Sequence, residues 1–188
     1  MYLKILSEDE CHNGLQYQTG LNVDPVPFNP TGSCRPGGIY FSNEEYILDF
    51  IDYGPNIREV KLPDDAKIYK DPDGNKWKAD KIILGKSRSL AKVSTWKWLI
   101  ILGCKPTSNA IDRVAYNGHL DVVKYLCKLG CIPTSNAIDN AAFNGHLDVV
   151  KYLCELGCKP TSDTIDRAAY NGYLDVVKYL FEPIRTRM

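Results

Sequence analysis

The sequence predicts two architectures in series, a small α+β domain over residues 1–88 followed by an all-α solenoid of stacked helix pairs over residues 89–188. Three observations predict it. From Gly103 onward the text recurs with a period of 27 residues. Before that point no period is present, and short β-branched and aromatic runs alternate with turns rich in proline and glycine. The composition, 44% hydrophobic and 24% charged over 188 residues, is that of a folded chain rather than a disordered one.

In the first half MYLKIL is expected to form a strand, and GLQYQ is a candidate second one. Residues 22–38, NVDPVPFNPTGSCRPGG, are expected to be a long ordered loop. GGIYFS has the text of a buried strand. Ser42 and Glu45 then have the spacing of a capping box for a helix in NEEYILDFIDYG. IREVKLP is a further strand, and AKIYK and WKADKIIL flank the turn signal Asp71-Pro72-Asp73-Gly74 as a hairpin. This half has no assigned activity from its elements alone.

In the second half, residues 103–129 and 130–156 differ at only five of 27 positions, and a third copy starts at Gly157. VSTWKWLIILG, from Val93 to Gly103, aligns with the second half of a unit, giving a half repeat at 89–102 and repeats at 103–129, 130–156 and 157–183. Within a unit, Thr107 or Ser108 supplies an N-cap for a helix running to about Tyr116. Asn117-Gly118 closes it, and a second helix starts near His119 with Leu120, Val123, Leu126, Cys127 and Leu129 on one face. Gly130 ends that helix and Pro133 blocks its continuation. Phe181-Glu182-Pro183-Ile184 ends the last helix, followed by a short polar tail. Trp96, Trp98, Leu99 and Leu102 are large enough to cap the first repeat.

The text A-x-N-G-H-L-D-V-V-K-Y-L followed by G-C-x-P resembles the ankyrin repeat, over about the last 95 residues. The period is shorter than the ~33 residues usual for that family, which implies its loop fingers are reduced to tight turns. Short, nearly identical units behind an unrelated N-terminal segment are similar to the ankyrin protein families of giant amoeba-infecting DNA viruses. The resemblance implies a protein–protein interaction module with a protein partner, plausibly a host protein, in the host cytoplasm. It also implies that His119 and His146, replaced by Tyr173 in the third copy, bond neighbouring backbone and order adjacent repeats.

Positions that vary among near-identical units point to the partner-binding face. Arg113, Asn140 and Arg167 form one stripe, and Tyr116, Phe143 and Tyr170 another, a guanidinium and aromatic mixture found at interface hot spots. Packing between repeats would account for the same stripes equally well. A third role is assembly: the end from Asp175 to Phe181 lacks a capping repeat, so two chains could pair there as a homodimer.

Cys127 and Cys131, like Cys154 and Cys158, have a C-x3-C spacing, but Phe181 stands at the corresponding place in the third copy. That exchange suits a packed interior and not a metal centre, so no metal site is expected.

Gly37-Gly38-Ile39-Tyr40-Phe41-Ser42 resembles the G-x-G-I-Y-F-A/S segment of the poly(ADP-ribose) polymerase group, and Cys11-His12-Asn13-Gly14 resembles its H-G-[ST] motif with one residue inserted. The resemblance implies that Tyr40 packs on the nicotinamide of NAD and that His12 holds its ribose. A catalytic acid would then be expected on a late strand, where Asp80 stands and a glutamate is absent. The alternative to a pure binding module is therefore an NAD-binding or ADP-ribosyltransferase-like N-terminal domain, with structural strand and turn residues as the simpler account of both motifs.

Other classes are disfavoured. Twenty-three basic and 23 acidic residues cancel, so nucleic acid and anionic membranes are not expected partners. No apolar run has the length of a signal or a membrane span, and seven cysteines without a signal indicate reduced thiols in a cytoplasmic setting.

Overall fold

The computed structural model describes residues 1–185 other than Ser33 and Asp73. Of the polar tail expected at residues 185–188, Arg185 belongs to the last helix and 186–188 lie outside the described residues. The chain divides into two compact units, one from Met1 to Lys105 and one beginning at Pro106.

The first unit is strand-rich. Its strands are β1 (Tyr2–Leu6), β2 (Cys11–His12), β3 (Leu15–Gln16), β4 (Gly20–Val23), β5 (Ile39–Asn43), β6 (Asn56–Lys61), β7 (Ile68–Lys70), β8 (Trp77–Ala79), β9 (Lys81–Leu84) and β10 (Arg88–Ser89). Eight of them form one sheet in the order β4-β9-β6-β1-β5-β8-β7, with β10 also on β6, while β2 and β3 make a separate hairpin. Every described pairing is antiparallel, and β1 lies centrally, with Leu3 opposite Ser42 of β5 and Ile5 opposite Ile57 of β6. Leu6, Phe41, Val60, Ile82 and Leu84 belong to the core on this sheet.

Leu3, Lys4, Ile5 and Leu6 are all buried, so both faces of β1 are covered and the usual in–out alternation is lost. A 3-10 helix, Ile47–Tyr53, packs against β1 through its buried Ile47, Leu48 and Ile51. Helix α1 (Val93–Ile101) closes the unit and is tied to the segment before it. Trp96 Nε1–H donates to the Leu90 carbonyl at 2.7 Å, and the Thr95 hydroxyl donates to the Ser89 carbonyl at 2.7 Å.

Four expectations need correction here. Ser42 caps no helix: it lies on β5, and its hydroxyl donates to the Asn75 carbonyl at 2.6 Å. The helical segment is shorter and of the 3-10 type, because β5 runs on through Asn43 and uses the residues a cap would need. WKADKIIL is two strands broken at Asp80, and Asn22-Val23 belong to β4 rather than to the loop.

The second unit contains α2 (Ser108–Tyr116), α3 (Leu120–Lys128), α4 (Ser135–Phe143), α5 (Leu147–Glu155), α6 (Ser162–Tyr170) and α7 (Leu174–Arg185). α2, α4 and α6 pack side by side, and α3, α5 and α7 follow the same order, each helix also against its partner within the unit. Ile111, Ala115, Val123 and Leu126 of one repeat and Ile138, Ala142, Val150 and Leu153 of the next are fully buried, so neighbouring units complete one another's core.

The helix ends differ in detail from expectation. Thr107 occupies the N-cap position without a side-chain cap bond, whereas the Thr134 hydroxyl accepts from Asn136 N–H and Thr161 forms a capping box with Thr164. At the first helix's end Asn117 stays at φ −88° and only Gly118, at φ +73°, adopts the left-handed conformation. Leu129 is half exposed rather than part of the buried face, where Val122 takes its place. Helix α7 continues through Pro183 to Arg185, since proline's own φ is helical and it forfeits one ladder bond.

Candidate functional site

Two regions carry the chemistry expected from the sequence. The first is a cleft of about 590 Å³ in the strand-rich unit, lined by residues of β1, β2, β5, the loop from Asp24 to Gly38 and the 3-10 helix. His12 and Tyr40 both line it. Asp80 does not: it sits between β8 and β9, where its Oδ1 accepts the Lys67 N–H at 2.8 Å and its carbonyl accepts the Asp24 N–H at 2.9 Å. The carboxylate that does line the cleft is Asp24, whose two oxygens accept the N–H groups of Val26 at 2.8 Å and Gly38 at 2.7 Å.

The loop is shaped by its glycines. Gly37 has φ +87°, and a side chain there would meet the Pro27 carbonyl at 2.4 Å, so the loop can fold back on itself only with glycine at this place. Tyr40 is held at both ends. Its hydroxyl accepts from Arg35 N–H at 3.0 Å, and its ring lies 5.6 Å from Lys76 Nζ and 5.4 Å from Lys78 Nζ. Burial raises the Tyr40 hydroxyl pKa, so it stays a neutral phenol.

Lys4 escapes a reading of MYLKIL as an alternating strand, yet it is a principal group of the cleft. It is 7% exposed, its Nζ donates to the Tyr40 carbonyl at 2.7 Å, and it lies 5.0 Å from the Tyr17 ring. Burial lowers its pKa to about 8. His12 is lowered as well, first by burial and then by the Lys4 charge, which places the two groups within electrostatic reach. The only warning in the sequence is a lysine in the middle of an apolar strand.

The second region is the repeat surface. Arg113 and Tyr116 lie on α2, Asn140 and Phe143 on α4, and Arg167 and Tyr170 on α6, at matching registers of three neighbouring helices. The Arg113 guanidinium stacks 4.6 Å from the Tyr116 ring. Arg113, Tyr116, Asn140 and Phe143 are half-buried, whereas Arg167 is exposed and Tyr170 is 89% exposed. His146 Nε2 lies 3.1 Å from the Tyr116 carbonyl of the preceding unit, the backbone contact expected of this histidine.

Cys104 is buried, its thiol pushed up to about 11 by burial, but Cys127, Cys131, Cys154 and Cys158 are only half-buried. Sequence reasoning missed the carboxylates that join the units, Asp112 and Asp139, although aspartate stands at that position in all three copies.

A family model of ankyrin repeats, three copies, matches residues 89–164. Residues 89–164 are ankyrin repeats. The chain is 37% identical to ankyrin repeat protein R868 of Acanthamoeba polyphaga mimivirus, over 66% of this chain and 65% of that one. It is 43% identical to ankyrin repeat protein R229 of the same virus, over 53% of this chain and 36% of that one. The uncharacterized mimivirus protein R869 is 38% identical over 65% of this chain and 94% of its own length. Of the two ankyrin relatives, then, the chain spans under two thirds of one and about a third of the other. Ankyrin repeats are in general protein–protein interaction modules. Among the described residues no helix is long and apolar enough to cross a membrane.

Proposed function

We propose that this ankyrin-repeat protein binds a protein of the infected host cell through the stripe formed by Arg113, Tyr116, Asn140, Phe143, Arg167 and Tyr170. The supporting observation is the exposure of Arg167 and Tyr170 at the register where, two units earlier, Arg113 stacks on Tyr116. Tyrosine offers large contact area with little rotamer entropy to lose, and arginine a planar fork of donors that also stacks on aromatic rings, which is why both are enriched at interface hot spots. The short turns between units leave the helix surface as the recognition element.

The test is capture from amoebal lysate, followed by titration of the purified captured protein. The triple variant Arg113→Glu, Asn140→Glu, Arg167→Glu is expected to weaken binding by about tenfold or more, equivalent to ~1.4 kcal/mol, at unchanged melting temperature. Undiminished binding by a folded triple variant would move the partner to another face.

A second reading concerns the strand-rich unit, and what supports it is that His12 and Tyr40 line one cleft. In this reading NAD occupies the cleft, with His12 toward the nicotinamide ribose and Tyr40 toward its ring. Asp80 lies away from the cleft and both Asp24 oxygens are engaged by backbone N–H groups, so the reading is one of binding rather than of ADP-ribosyl transfer. NAD at about 100 times its dissociation constant would stabilise the fold by ~2.7 kcal/mol. A rise in melting temperature that His12→Ala removes supports it; no rise ends it.

A further inference from the structure

We propose that the cleft of the strand-rich unit binds a small organic anion, its acid group paired with the Lys4 ammonium and its apolar body against Phe41, Ile47 and Phe50. The inference concerns the same cleft as the nicotinamide reading but does not depend on it.

Lys4 carries the argument. An ammonium has three donors, and among the described residues Lys4 Nζ has one hydrogen-bond acceptor, the Tyr40 carbonyl. No carboxylate of a described residue lies within 4.0 Å of it, as the ion pairs of this unit are made by other groups. A cation removed from water without a counter-ion is costly, and buried charges are ordinarily paired. Lys4 is instead 7% exposed and lines an open cleft.

The surroundings do not neutralise it. Asp24 directs both oxygens at backbone N–H groups of its own loop. Lys76 also lines the cleft, paired with Asp71 at 3.7 Å, and Lys78 Nζ lies 5.4 Å from the Tyr40 ring, so Lys4, Lys76 and Lys78 stand against Asp24 and Asp71 and leave positive charge in excess. Such a site favours negative charge over a cationic ring. His12, whose pKa is lowered by partial burial and by the Lys4 charge, lines the same cleft and carries a ring N–H as a second donor. Phe41, Ile47 and Phe50 give the cleft an apolar, aromatic side, and about 590 Å³ lies within the ~300–1,000 Å³ of small-molecule sites.

The experiment uses the full chain and three isosteric probes, 2-naphthoate, 2-naphthyl phosphate and neutral 2-naphthamide, titrated by calorimetry. At least one anion is expected to bind about tenfold more tightly than the amide. The tighter anion tells whether the site takes a carboxylate or a phosphate. Lys4→Met is expected to erase the preference and Lys4→Arg to retain it, with circular dichroism verifying the fold of each. If Lys4→Met does not fold, the anion is expected to slow acetylation of the Lys4 amine in the wild-type chain while the amide does not. Equal binding of the amide, absence of anion binding at millimolar concentration, a preference that survives Lys4→Met, or equal protection by both probes overturns the proposal. A failure of NAD to bind leaves it standing, so the two readings fail separately.

Discussion

The Thr134 hydroxyl donates to Asp112 Oδ2 at 2.5 Å while Thr134 N–H donates to Asp112 Oδ1 at 3.1 Å, so the N-cap of one repeat is held by the first helix of the repeat before it. The same joint recurs one unit on, where the hydroxyls of Thr161 and Thr164 donate to Asp139 Oδ1. Asp166 occupies the equivalent place in the third unit and is exposed.

This pattern predicts a graded set of substitutions. Asp112→Ala removes a charged acceptor of two hydrogen bonds and leaves a donor pair short of partners, a loss of about 2 kcal/mol. Asp139→Ala is expected to cost a similar amount. Asp166→Ala, having no following threonine among the described residues to hold, is expected to change stability by under about 0.5 kcal/mol. Urea unfolding of the three variants checks the order; an equal loss at Asp166 would show that the carboxylate acts within its own helix instead.

Gly118, Gly145 and Gly172 share nearly the same backbone, at φ +73°, +73° and +77°, yet differ in what lies above them. A side chain at Gly118 would meet the His146 ring at 2.5 Å and one at Gly145 the Tyr173 ring at 2.4 Å, while Gly172 has nothing within 4 Å. Alanine at Gly172 is therefore expected to cost only the left-handed strain of about 1 kcal/mol. Alanine at Gly118 or Gly145 adds a repacking cost of about 1–3 kcal/mol. The double variant Gly118→Ala, His146→Ala should recover part of the added loss, and thermal melts of the four proteins measure it.

Lys4 sets a pH dependence whose direction follows from its depressed pKa. Its folded value is about 8 against an ordinary 10.5, so between these values the unfolded chain binds more protons and stability rises with pH. Cys104 and Tyr17, both raised by burial, oppose this at higher pH, which makes the interval from about pH 8 to pH 9 the informative one. Each pH unit in the window is worth up to about 1.4 kcal/mol. The stability of wild type relative to Lys4→Met is expected to increase by on the order of 1 kcal/mol across it, read from denaturant midpoints at the two pH values. A flat difference would mean that Lys4 is hydrated in the native state.

The ankyrin half was legible residue by residue because its determinants are local or lie one repeat away. Apolar spacing places Ile111, Val123 and Leu126 inward, Gly118 closes a helix, and near-identical copies imply near-identical packing. The same logic erred at Leu129, where the helix ends before its face turns back to the core and the side chain is half exposed. Ser42 shows the limit in the other half. A capping-box spacing is a local signal, and the pairing of Tyr40 and Phe41 with β8 and of Ser42 with β1 overrode it.

Sequence by itself determined the two-part organisation, the period, the helix pairs of each repeat and the presence of strands and turns ahead of them. It also singled out His12 and Tyr40 as members of one constellation, which share a cleft. Tertiary structure alone decided that Asp24 rather than Asp80 lines that cleft and that β1 is covered on both faces, turning Lys4 from an outward strand residue into a buried ammonium. The physical reason is the range of the interactions. Helix pairs and repeat stacking are set by neighbours along the chain, whereas the surroundings of Lys4 include Tyr40, Tyr17 and the hairpin that carries His12, which reach it only after the sheet has formed.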